Sequence, residues 1–131
     1  PPEAAVPEAA PPLDPELERQ IERFNTGQQI VYRVVRAEVG AGASNFVRFC
    51  GLRLADGFHE LFAGVDLMDD GTWDPVGIRA AVHRKSVLDP WLGFQRLLEK
   101  EIEMVQVHLG ANQADVLRKR LEEFDRADAT F

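Results

Sequence analysis

The residues best placed to do chemistry lie between Asp66 and Asp74, in the run Asp-Leu-Met-Asp-Asp-Gly-Thr-Trp-Asp. A calcium loop between helices sets oxygen ligands at alternate positions, glycine at the sixth and a bidentate glutamate at the twelfth. Counted from Asp66, Asp70 is fifth, Gly71 sixth, Thr72 seventh and Asp74 ninth, but Met68 holds the third place and Gly77 the twelfth. Without the bidentate ligand, Asp66, Asp70 and Asp74 are a degenerate metal site at most. A polar turn with Asp-Gly chemistry is the plainer expectation, because Asp74 is also needed to cap the next helix.

His83 is the second candidate, as a phosphoacceptor. Phosphotransfer domains are helical bundles of about this size with an exposed histidine mid-helix, usually followed by lysine and glycine. Here Arg84-Lys85-Ser86 follows and Pro90 ends the segment within two turns, so a solvated histidine favoured by the helix dipole competes with that role. His59 and His108 lack a partner at i+4, which removes a His-x-x-x-His metal site. Cys50 falls on an apolar face, the usual place of an inert packing thiol. Neither Ser44 nor Ser86 lies in a Gly-x-Ser-x-Gly turn. Gly40-Ala41-Gly42-Ala43 lacks the Lys-Ser or Lys-Thr of a phosphate loop. Glu99, Glu101 and Glu103 read as a solvated acidic face. No catalytic set and no cofactor is expected.

Two aromatic residues point to binding instead. Trp73 sits among aspartates in the polar loop, where it is either a staple onto the following helix or an exposed anchor for a partner. Tyr32 is a second partner-binding candidate if it faces outward. On this reading Trp73→Ala weakens partner capture while costing no more than ~1 kcal/mol of stability.

The elements that must position these residues follow from periodicity. Asp89-Pro90 is a helix start, with a capping carboxylate followed by a proline whose missing N–H costs nothing there. Trp91, Phe94, Leu98, Ile102, Val105 and Leu109 then recur at steps of three and four, widened by Leu97 and Met104, until Gly110. This helix is expected to organise the chain. Asp14-Pro15 repeats the start signal, and Leu17, Ile21, Phe24, Gln28, Val31 and Val35 keep one register, so a helix is expected from 15 to about 39. The competing reading is a strand at 30–35, favoured by β-branched residues. A further helix is expected from a Ser44 cap, broken near Ala55-Asp56-Gly57 into two short ones, with a β-hairpin as the alternative. Asp74-Pro75 opens a helix that ends near Lys85. Asn112 caps a last one carrying Ala114, Leu117, Leu121 and Phe124, and the tail from Asp125 to Phe131 is expected to fray.

The whole is therefore read as all-α, a bundle of five or six helices with a Pro-rich N-terminal linker, the alternative being α+β with a hairpin in 28–65. Domain limits are 1–13 linker, 14–127 helical domain and 128–131 frayed tail. Five of the eight prolines lie in residues 1–13, which suits a semi-extended tether. At 131 residues with 45% hydrophobic content, the chain supports one core. No apolar run approaches the ~20 residues of a membrane span, and no signal-peptide pattern is visible.

A net charge of −7 repels phosphate backbones, which disfavours nucleic acid as partner. A single cysteine suits a reducing compartment. Twelve arginines against three lysines fit a GC-rich bacterial genome. The first residue is not Met, and the chain reads like a piece of a longer protein. The expected role is a non-catalytic protein-interaction or regulatory module of a larger cytoplasmic bacterial protein, with another protein as partner. Phosphotransfer signalling through His83 and degenerate calcium binding are the alternatives. Oligomeric state is left open.

Overall fold

The computed structural model describes residues 14–85, 87 and 89–129. The linker expected at 1–13 and the last two residues of the expected tail lie outside that range. Most described residues are helical and none forms a strand. The elements in chain order are α1 (Pro15–Val39), α2 (Ala43–Leu52), α3 (Pro75–Arg84), α4 (Pro90–Leu109) and α5 (Ala111–Ala129). Single 3₁₀ turns cover Gly40–Gly42 and Phe58–Leu61. Only Gly110 separates α4 from α5, so the helix count depends on whether that hairpin corner divides them.

Three Asp-Pro pairs start three helices, each by the same local chemistry. The Asp14 carboxylate accepts from the amides of Glu16 and Leu17, Asp74 from Val76 and Asp89 from Leu92. Each satisfies amides that a first turn leaves unpaired.

α1 runs unbroken through Asn25-Thr26-Gly27 to Val39. Val31, Val34 and Val35 are buried along it, so burial on a helical stripe outweighs their preference for extended backbone. α1 packs against each of the other four helices. The centre of the molecule is thus the α1–α4 pair, not α4 alone. Phe24 of α1 stacks on Phe94 of α4 at 4.4 Å between centroids, and Phe62 packs beside Phe24 at 5.8 Å. Gly93 lets the 3₁₀ turn approach α4, since a Cβ there would overlap the Leu61 side chain.

Several boundaries differ from the sequence reading. α2 is not capped by Ser44: it starts at Ala43 after Gly42 with no side-chain cap, and the Ser44 hydroxyl lies 3.5 Å from the Tyr32 hydroxyl. The second short helix is only a 3₁₀ turn. Asp56 and Gly57 both take left-handed backbone (φ 59° and 82°) ahead of it, which an α-helix cannot continue through. α5 begins at Ala111, without waiting for Asn112, and stays helical through Ala129. Its far end is tied to α1, where the Arg23 guanidinium reaches Asp125 at 3.2 Å and Asp128 at 3.1 Å.

Candidate functional site

Trp73 is not an exposed anchor. It is 1% exposed. Position 73 is flanked by polar residues, but Asn25 of α1 turns it inward. The Asn25 amide donates to the Trp73 carbonyl at 2.9 Å and its oxygen accepts the Trp73 N–H at 2.8 Å. These two bonds satisfy a buried loop backbone as a neighbouring strand would. The indole packs on Phe62 (4.9 Å) and its Nε1–H donates to the Gln28 side chain at 3.1 Å. Its hydrogen-bond partner is on α1, and the ring lies against Phe62 with the α2 backbone close by at Gly51.

Gln28 continues the chain of bonds. Its amide donates to Oε1 of Glu101 at 2.7 Å. Glu101, expected on a solvated face, is 0% exposed. Burial pushes its carboxyl up to about 8, with the Gln28 hydrogen bond acting in the opposite direction. Its second oxygen, Oε2, has no hydrogen-bond partner among the described residues. Trp73, Gln28 and Glu101 thus form one buried polar line from the 66–74 loop through α1 into α4. Position 101 lies between the buried Leu97 and Val105, so the i±4 spacing was the available signal. An acidic residue type argued the other way.

Cys50 lies in the same core at 0% exposure. Desolvation raises its thiol far above the usual range, and Glu101 nearby would add to that when ionised. It is a buried, protonated packing group.

The aspartate loop is a closed turn. Met68 and Thr72 pair across it, and the Asp74 N–H bonds to the Asp66 carbonyl at 2.9 Å. Asp70 accepts from both the hydroxyl and the N–H of Thr72, and from Gln29; these bonds, the hydroxyl first, lower its carboxyl below the usual range. Asp74 caps α3 and Asp66 is exposed. No group of three metal-ligating side chains occurs among the described residues.

Tyr32, expected outside as a second anchor, is buried under this loop, with Arg36 stacked on its ring at 5.9 Å. Gly71 sits directly on it at φ 90°, and a Cβ there would overlap the tyrosine. Gly71→Ala is therefore expected to cost about 2 kcal/mol by urea denaturation, from backbone strain and overpacking together. A change under about 0.5 kcal/mol would show that the loop yields freely. His83 is exposed on the last turn of α3.

The exposed surface carries two features. On α2, Phe46, Phe49 and Leu52 recur every third residue; Phe49 is 44% and Leu52 54% exposed. Arg53 stacks on Phe49 at 4.4 Å. Residues 30–54 hold four arginines, 33, 36, 48 and 53, against Glu38, a net +3 within a chain of −7. None of the four joins an ion pair among the described residues. The second feature is an open groove of about 540 Å³ along α1, walled by Trp91. Arg23 fills its edge, stacked between Trp91 and Phe124 while paired to Asp125 and Asp128.

No protein-family model, no curated protein and no solved structure matches this chain.

Proposed function

We propose that this protein is a non-catalytic protein-interaction or regulatory module, a helical bundle of five or six helices tethered through its Pro-rich residues 1–13 within a larger bacterial cytoplasmic protein. The observation that carries this reading is the outer ridge of α2. Phe49 and Leu52 are exposed beside Arg48 and Arg53, which join no ion pair among the described residues, with Arg53 stacked on Phe49. Aromatic residues and arginine are the types enriched at interface centres. Local positive charge in an acidic chain favours a partner surface that is apolar and acidic, and it disfavours the ridge meeting its own copy across a twofold axis. Trp73 and Tyr32 enter this reading only as the core beneath α2 and the loop, not as anchors.

The test compares affinity capture by the wild-type chain, by Phe49→Ser with Leu52→Ser, and by Arg48→Glu with Arg53→Glu. Exposed substitutions of this kind leave stability within about 1 kcal/mol. Partners retained by the wild type are expected to be lost from both variants, with at least a tenfold weaker affinity (about 1.4 kcal/mol) once one is purified. An unchanged set of captured proteins would remove α2 as the docking face.

A further inference from the structure

The buried line from Trp73 to Glu101 is poised in a way that packing alone does not explain. Gln28 is held at both ends: its carbonyl accepts the indole N–H and its amide donates to Glu101. The Gln28 amide can donate to either form of Glu101 and favours the ionised one, so what opposes ionisation is burial alone, and that is relieved only by opening the seam to water. At the Glu101 end, Oε1 is satisfied and Oε2 is not, inside a site with no solvent exposure. A neutral carboxyl leaves one O–H unpaired there. An ionised one leaves a bare charge, which is far costlier in such surroundings.

We infer that Glu101 is a proton-operated latch. Protonated, it is held by Gln28 in the α1–α4 seam and keeps the indole of Trp73 docked; ionised, it draws water into the seam and releases Trp73.

The groups around it offer no counter-charge. From α1 it meets the neutral amide of Gln28. From α2 it meets the Cys50 thiol, which stays protonated. On α4 itself, Lys100 pairs with Glu103 at 3.5 Å and Arg96 with Glu99 at 3.1 Å. The 3₁₀ turn carries half-buried His59 and Glu60, the latter paired with Lys85. α5 carries Arg118, engaged by Asp115 and Gln106. No buried cation is present among the described residues to hold an ionised Glu101 in place.

The sign follows from linkage. The folded carboxyl keeps its proton up to about 8, whereas the unfolded one loses it near 4.5. Between those values the unfolded state binds fewer protons, so the docked state weakens as pH rises and is fully favoured only below the lower value. The latch therefore opens on the alkaline side, unlike a salt-bridged carboxylate, which fails in acid.

The experiment uses the two indole N–H signals of the labelled chain, with Trp91 as internal reference. Protection of the Trp73 indole N–H from exchange is expected to fall at least about tenfold between about pH 6 and about pH 9 in the wild type. In Glu101→Gln, which keeps an acceptor for Gln28, the fall is expected to be less than about twofold. An equal fall in both proteins would overturn the latch. Should the variant not fold, the Glu101 carboxyl carbon signal of the wild type decides. It must titrate together with release of Trp73, and a carboxyl that titrates like an ordinary glutamate ends the proposal.

Discussion

Trp73→Ala is expected to lower the stability of this protein by about 3–5 kcal/mol, enough to unfold a marginal domain. The sequence reading expected no more than ~1 kcal/mol, on the premise of an exposed loop residue. The structure reverses the premise. Truncation would leave a cavity between Phe62 and α1 and strip Gln28 of the indole donor. The two bonds from Asn25 go to the backbone of residue 73 and survive the substitution, so the loss reports the side chain. Trp73→Phe separates the contributions: it keeps most of the volume, loses the N–H, and is expected to cost about 1–3 kcal/mol. Urea denaturation with an unchanged slope is the measurement. A loss for Trp73→Ala under about 1.5 kcal/mol would mean that the loop repacks or that the indole is not in the core.

Gln28→Leu is expected to cost about 3 kcal/mol, although it makes the core more apolar. It orphans two buried groups at once, the Trp73 indole N–H and Oε1 of Glu101, each worth about 1–3 kcal/mol when unsatisfied. Part of that is returned by the gain in apolar burial. The bond to Glu101 can be isolated in a double-mutant cycle with Glu101→Met. The double variant is expected to be about 1–2 kcal/mol more stable than the sum of the single changes predicts, because removing both partners leaves neither orphaned. Additivity within about 0.5 kcal/mol would show that the Gln28–Glu101 bond contributes nothing net.

Residue type governs which parts of the site could be read in advance. Residue type misleads at Trp73, where an exposed anchor competes with an inward staple, and at Glu101, for opposite reasons. Tryptophan beside four aspartates looked like a surface group, yet one asparagine 48 residues away supplies the bonds that turn the loop inward. Glutamate between two other glutamates looked solvated, yet its position, not its charge, carries it inside: Leu97 and Val105, one turn away on either side, are both buried. Gln28 falls in the apolar register of α1, and its meaning as a link appears only with α4 beside it. The exposed ridge of α2 is not legible from residue type, since Phe49 and Leu52 are as apolar as the buried Val47 and Cys50 beside them, and only packing shows which flank of α2 is covered.

What the sequence determined by itself is local. Asp-Pro pairs start helices because the cap and the proline act within four residues, and the starts of α1, α3 and α4 stood where those pairs do. The apolar register chose helix over strand for residues 28–39, because a stripe that must meet α4 constrains the backbone more than β-branched preference does. What only the tertiary structure decided is which side chains lose water. Burial depends on elements far apart in the chain, and a polar group can be carried inside whenever a distant partner satisfies it. Asn25 does this for the loop and Gln28 for Glu101, and neither pairing is written in the residues on either side of it.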